Sequence, residues 1–155
     1  MVLAAQKTAQ HTTVGGVEVA AAMVRWAYRS PAPQAVEASQ LSDQIMATTA
    51  SPSFKDLEGS TKANPNSSGG VVADGVPFYL STISGVWYVE SASADKVTAS
   101  IGSAFVVDGA LSPNLRSVST FTLVWSDNGW RIESGEFKRT TQEVFAIGTP
   151  FSGGC

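Results

Sequence analysis

Cysteine and histidine are almost absent from this 155-residue chain, which has one of each, Cys155 and His11. A single cysteine cannot form an intramolecular disulfide, and Cys155 lies in no lipidation motif, so we interpret it as an incidental thiol. A metal centre needs several converging His, Cys, Asp or Glu ligands, and a serine or cysteine nucleophile needs a base that is usually histidine. His11 lies in a weakly patterned segment. The sequence therefore predicts no metal, no other cofactor and no nucleophilic triad.

Charge is also sparse. Lysine and arginine number 10 against 13 aspartates and glutamates, which gives a net charge of −3. Nucleic-acid binding usually needs a basic face or stripe. The strongest basic cluster is Lys138-Arg139, which is more typical of a solvated strand end than of a phosphate site. We therefore expect no nucleic-acid partner.

Long hydrophobic runs are missing. The longest apolar stretch spans residues 19–24, far short of the roughly 20 apolar residues of a membrane span. The opening residues, MVLAAQKTAQ, lack the basic start and long apolar middle of a signal peptide. Membrane attachment is therefore expected only through a segment absent from this chain.

The first half of the chain has helical spacing. Residues 1–14 are interpreted as a flexible tail. A helix is predicted over 17–30, because apolar residues recur at intervals of three and four: Val17, Ala20, Ala21, Val24 and Tyr28. A second helix is predicted over 34–50 and a short third one over 52–59. Residues 60–75, rich in Ser, Asn and Gly, are predicted to form a long loop.

After residue 76 the hydrophobic period changes to two, which is typical of strands. Strands are predicted over about 78–91, 97–107, 117–125 and 130–137, with a loop at 108–116. Asp127-Asn128-Gly129 predicts a tight hairpin turn, with Asn128-Gly129 as its two-residue centre, because Asn and Gly tolerate positive φ. The hairpin is expected to bring Trp125 and Trp130 across from each other on the core face.

Helices followed by strands indicate an α+β fold. The simplest arrangement is a single domain over 15–148, in which N-terminal helices pack on a curved antiparallel sheet of about four strands. The residues at 149–155 are interpreted as a second flexible tail.

The segments GVWYVESASADKVTASIGSAFVV and VSTFTLVWSDNGWRIES follow a helical block. This order, with the W-x-x-x-x-W-R pattern, resembles the nuclear-transport-factor-2-like (cystatin-like cone) superfamily. More narrowly, it resembles the extracytoplasmic domain of the bitopic assembly-factor subunit of type IV secretion and conjugation systems in actinobacteria. The likeness covers residues 17–137. It implies a cone-shaped domain on the extracytoplasmic face of the cell envelope, or a cytoplasmic protein if the chain is complete as given.

Enzymes of that superfamily place an acid or base in the cone. Among the strand carboxylates, Glu133 is expected to point outward and Glu90 to be the better candidate, with Trp26 and Tyr28 lining the same opening. A solvated glutamate at the sheet edge is nevertheless the preferred interpretation of Glu90. The missing acid–base set favours a protein that is not an enzyme.

The outer face of the predicted sheet is modestly apolar and nearly uncharged, which suits a protein interface. Its candidate interface residues are Val106, Val118, Thr122 and Val124, although β-branched residues on an ordinary solvated sheet would give the same pattern. We therefore expect self-association or contact with other subunits, as in a conjugation or secretion assembly. A cone-pocket ligand binder or enzyme (isomerase- or dehydratase-like) and a structural component of a larger particle are the alternatives.

Overall fold

The computed structural model describes residues 1–152, so Cys155 lies outside the described residues. The fold is α+β, with helices packed on a curled antiparallel sheet. The helices of the described part are α1 (Val2–Thr8), α2 (Thr13–Ala27), α3 (Ala35–Ile45), α4 (Pro52–Lys55), α5 (Leu57–Ala63) and α6 (Thr141–Ile147). The strands are β1 (Arg29–Ser30), β2 (Phe78–Ala92), β3 (Lys96–Val107), β4 (Ala110–Ser126), β5 (Gly129–Glu136) and β6 (Thr149–Pro150). No helix within this part of the chain combines the length and hydropathy needed to cross a membrane.

The sheet is larger than the sequence predicts. Its strands run in the order β1-β2-β3-β4-β5, and β6 pairs with β2 beyond this path. The expectation of about four strands is therefore wrong by the two short strands β1 and β6. A strand of two residues is too short to show an alternating pattern, so the sequence could not indicate β1 and β6.

The N-terminal segment is not a simple tail. Residues 2–8 form α1, and Val2 is buried in the core. Helix α2 begins earlier than predicted because the Thr12 side chain accepts a hydrogen bond from the Gly15 N–H at 3.1 Å, an N-cap.

Helix α3 ends at Ile45 and does not continue to residue 50. Met46 is extended and bridges Ile132 of β5 in parallel, and the Ala47 N–H donates to the Ile132 carbonyl at 2.8 Å. This bridge pairs with part of the outer edge of β5. The predicted third helix appears as two short ones, α4 and α5, separated at Asp56.

Two turns differ from the predictions. The predicted loop at 108–116 is a tight turn at Asp108-Gly109, and β4 begins at Ala110. Residues 112–115 bulge out of β4 opposite the single residue Phe105. In the β4–β5 hairpin the two central residues are Asp127 and Asn128, both with positive φ, and Gly129 starts the next strand. The predicted centre at Asn128-Gly129 is therefore off by one residue.

The inner face of the sheet packs on the helices and forms the main core. It contains the alternating residues of β3 and the expected core residues Phe121, Leu123, Trp130 and Ile132. Trp130 is fully buried, whereas Trp125 is half-buried and packs at the margin. The two tryptophans pair across the hairpin as predicted, and both contact the main core, Trp130 within it and Trp125 at its margin.

Helix α6 covers part of the outer face. Thr140 and Glu143 form a reciprocal capping box that starts this helix. Val144 of α6 packs on Val86 of β2 and Val118 of β4 as a second, small apolar cluster. The chain then returns as β6 along the β2 edge, so residues 149–150 belong to the sheet and not to a tail.

Candidate functional site

The three predicted pocket residues do not meet. Trp26 is buried in the main core, and Tyr28 packs against the same core at the end of α2. Glu90 belongs to the outer face, because its carboxylate binds Ser100, a residue that pairs with outward-facing Tyr88. The sheet therefore separates the carboxylate from both aromatic residues, and no cone-pocket site forms from this set.

Glu90 is instead held in a polar network. The Ser100 hydroxyl donates to the Glu90 carboxylate at 2.7 Å, and Arg139 Nε donates to its two oxygens at 2.9 and 3.0 Å. The Arg139 guanidinium also lies 4.9 Å from the centroid of the Tyr88 ring. The hydrogen bond to Glu90 raises the pKa of Arg139 above its ordinary value. These contacts fasten the segment before α6 to the outer face.

Paired hydroxyls continue this network across the central strands. Ser100 and Thr120 lie 2.8 Å apart, and Thr98 and Thr122 lie 2.9 Å apart. All four residues are buried. The two hydroxyls of each pair hydrogen-bond to each other across neighbouring strands. These four buried hydroxyls in the middle of the outer face therefore need no outside partner.

The four predicted interface residues expose little surface. Val118 lies beneath α6, Val106 and Thr122 are buried, and Val124 is half-buried against the main core. Helix α6 and the segment before it cover the middle of the outer face, which the sequence pattern does not indicate.

One end of the outer face is uncovered. Tyr79 of β2, Val106 of β3 and Leu111 of β4 are direct cross-strand neighbours, and we call these three residues the apolar row. Tyr79 is 50% exposed and Leu111 is 45% exposed, while Val106 between them is 6% exposed. Leu115, in the β4 bulge, is a further exposed apolar residue at this end. These exposed apolar side chains make this end of the outer face a candidate interaction surface.

Charges flank the apolar row on its two sides. Arg116 pairs with Ala104 on the side toward α6, and its guanidinium lies 4.4 Å from the centroid of the Phe145 ring. Asp108, in the β3–β4 turn, lies on the opposite side. Both side chains are exposed. A basic and an acidic side chain therefore border the row at opposite sides.

A cleft of about 900 Å³ lies at the β1–β2 edge of the sheet, and we call it the side cleft. Its polar lining comes from the end of α2, from β1 and from the start of α3: Arg25, Arg29, Gln34 and Glu37. Its apolar lining comes from β2: Phe78, Tyr79, Leu80 and Ile83. Both the size and the mixture of apolar walls with a few charged groups are typical of ligand sites.

The only histidine is fixed in place. The His11 ring stacks on Trp125, and its Nε2 lies 2.8 Å from the Asp95 carboxylate. Sequence reasoning placed His11 in a tail, and the signal that was missed is the N-cap at Thr12, which starts α2 directly after it. A His–Asp pair is a common acid–base unit. Here the His11 and Asp95 side chains are 42% and 70% exposed, and neither lines the side cleft.

Among residues 1–152, no three His, Cys, Asp or Glu side chains converge as a metal site requires. No protein-family model, curated protein or solved structure matches this chain. Two surfaces of the described residues are candidates for function, the apolar row and the side cleft.

Proposed function

We propose that this chain is a non-enzymatic interaction domain of a larger assembly, and that it binds a second copy of itself through the apolar row. The observation that carries the proposal is the row itself: Tyr79 and Leu111 are about half exposed on either side of buried Val106. Burying such side chains against a matching surface is favourable at about 25 cal/mol per Å² of apolar area.

The charges around the row favour a second copy as the occupant. A two-fold axis parallel to the row places the outer faces of the two copies against each other. The same rotation exchanges the two sides of the row, so the α6 side of one copy lies opposite the β3–β4 turn side of the other. Arg116 of each copy then faces Asp108 of the other, so two opposite-charge contacts form around one apolar centre. Such self-complementarity sets the register of two apolar surfaces that would otherwise slide.

The polar groups of the outer face support a structural role for Glu90, the predicted catalytic candidate. Its carboxylate is already occupied by Ser100 and Arg139, and its side chain is only 8% exposed. A carboxylate already bound by a hydroxyl and a guanidinium has little room left to contact a substrate. Glu90 anchors the segment that leads to α6 and so preserves the shape of the sheet beside the apolar row.

The type of assembly is proposed from the sequence resemblance. A helical block followed by a curled antiparallel sheet is the architecture expected of the nuclear-transport-factor-2-like superfamily, and the final W-x-x-x-x-W-R pattern points to subunits of conjugation and secretion machines. We propose the extracytoplasmic face of the cell envelope as the location. A self-associating domain of this kind would hold copies of a subunit together within the machine.

The proposal is tested by molar mass from light scattering over a wide range of concentrations. The wild type is expected to approach twice the monomer mass of 16.2 kDa, and Leu111→Lys is expected to stay monomeric. Val14→Lys is the matched control, because Val14 is 52% exposed at the start of α2, away from the sheet's outer face. A wild type that stays monomeric at millimolar concentration would refute the proposal.

A further inference from the structure

We propose that the side cleft binds a small amphiphilic carboxylic acid, with its apolar chain against β2 and its carboxylate at Arg29. This function is separate from self-association. Leu111 and Leu115 do not line the cleft, and the cleft's charged residues are not part of the apolar row. Tyr79 borders both surfaces, so a substitution there would not distinguish the two functions.

The apolar part of the ligand has a floor and a rim. Phe78 and Leu80 are almost fully buried and line the cleft. Ile83 is 51% exposed and stands at the rim, where β2 bulges away from β3. A hydrocarbon chain laid along this wall would cover Ile83 and remove apolar surface from water on both sides.

The charges of the cleft favour an anion. Two arginines, Arg25 and Arg29, and one glutamate, Glu37, line it. Guanidinium groups are good partners for a carboxylate, so this lining suits an anionic head group.

Arg29 retains an unused donor. Its Nη2 donates to the Glu37 carboxylate at 2.6 Å, but its buried Nε has no hydrogen-bond partner among residues 1–152. Because that Nε is enclosed by protein atoms, a ligand in the cleft would reach the guanidinium through its Nη groups. A guanidinium can bind two acceptors at once in a planar fork, so a ligand carboxylate can engage Arg29 beside or in place of Glu37.

The Arg29–Glu37 pair does not obstruct this exchange. The two side chains are 30% and 46% exposed, and exposed ion pairs contribute little to stability. Glu37 therefore acts as an internal competitor for Arg29. Removing its charge should strengthen binding of an anion, whereas removing the charge of Arg29 should weaken it.

Decanoate below its micellar concentration is a suitable probe, and isothermal titration calorimetry measures its affinity. Decyltrimethylammonium has the same chain length and the opposite charge. We expect one decanoate per chain and at least tenfold weaker binding of the cation. Amide NMR shift changes on adding decanoate should centre on residues 29–37 and 78–83.

Three variants test the assigned residues. Arg29→Gln should weaken decanoate binding about tenfold, the magnitude of one lost hydrogen bond to a charged group, and Glu37→Gln should strengthen it by several-fold. Lys62→Gln removes an exposed cation that lies outside both the cleft and the apolar row, and it should leave decanoate binding unchanged. Ile83→Glu places a carboxylate at an exposed rim position and should abolish binding without unfolding the protein.

The outcomes separate this proposal from its alternatives. Equal affinity for decanoate and decyltrimethylammonium, or an unchanged affinity in Arg29→Gln, would overturn the assignment of the carboxylate. The absence of any saturable decanoate binding up to millimolar concentration would overturn the cleft as a site. Self-association is measured in separate samples without decanoate, so failure of either proposal leaves the other intact.

Discussion

The imidazole of His11 lies flat on the indole of Trp125, with ring centroids 4.2 Å apart and ring planes 8° apart. Trp130 completes the cluster: its ring meets Trp125 edge-on at 5.5 Å, and its Nε1 donates to the Gln10 carbonyl at 2.9 Å. The two tryptophans beside the β4–β5 turn therefore have different roles. Trp130 fills the core, and Trp125 forms the platform on which the α1–α2 connection lies.

The different burial of the two tryptophans predicts different costs of truncation. Trp130→Ala should lower the free energy of unfolding by about 3–5 kcal/mol, because it empties a fully buried site. Trp125→Ala should cost about 1–2 kcal/mol, since that side chain is half-buried and loses mainly its contacts with His11 and Trp130. Urea unfolding measures both values. Equal costs would mean that the cluster is packed differently.

The stacked histidine predicts a stabilising role for a residue that the sequence left in a tail. His11→Ala should cost about 0.5–1.5 kcal/mol, the range of an aromatic pair. Asp95→Ala should cost less than about 1 kcal/mol, because the Asp95 carboxylate is largely exposed. A double-mutant cycle with Trp125→Ala isolates the ring contact. Additive effects of His11→Ala and Trp125→Ala would show that the stacking contributes nothing.

The change of hydrophobic period near residue 76 was enough to predict the α+β class and the four long strands, because strand alternation is a local property. The short strands β1 and β6 depend on tertiary pairing with β2, which no local pattern encodes. Helix α6 was missed although Thr140 and Glu143 carry a capping-box spacing. A seven-residue helix with one fully buried side chain, Val144, has too weak a period to be read.

The same dependence on tertiary structure explains why the sequence predicted the candidate sites only in part. The faces of β3 and β4 were correctly separated by parity, so the outer position of Val106 and Val118 could be predicted. Which of them would be exposed could not, since that depends on where α6 returns. The side cleft needs Arg29 and Tyr79 to meet across the β1–β2 pair, two residues 50 positions apart in the chain.

Gly102 should be intolerant of a side chain because of α6. A Cβ at this position would lie 2.8 Å from both Phe145 Cε2 and Val86 Cγ2. Gly102→Ala is therefore expected to cost about 1–3 kcal/mol through overpacking. In a Phe145→Ala background the cost should fall, since one of the two clashes is removed. An unchanged cost in that background would place α6 elsewhere.

Glu133 predicts a specific dependence of stability on pH. Hydrogen bonds from Lys96 and Thr49 lower the pKa of its carboxyl below the ordinary value of 4.5. The ionised form is favoured in the folded state, so the stabilisation is present above pH 4.5 and is lost as the pH falls through the lower folded value. Its size is about 1 kcal/mol or less at this partly exposed site.

Glu133→Gln should therefore be less stable than the wild type at pH 7, and the difference should shrink toward pH 3. Lys96→Met is the matched variant, because it removes the main cause of the lowered pKa and should reduce the same difference. Thermal unfolding between pH 7 and 3 measures both. A difference between wild type and Glu133→Gln that does not change with pH would contradict the assignment.

The proposed dimer places Arg116 of one copy against Asp108 of the other, and a charge exchange tests this contact most directly. Arg116→Asp alone and Asp108→Lys alone each create two like-charge contacts, so each variant should be monomeric by sedimentation velocity at concentrations where the wild type is dimeric. Thermal unfolding checks that both variants are folded. Mixing the two variants restores both opposite-charge contacts, and the mixture should sediment as a 1:1 dimer. If both variants dimerise like the wild type, or if the mixture stays monomeric, the two copies do not associate through the apolar row in the proposed orientation.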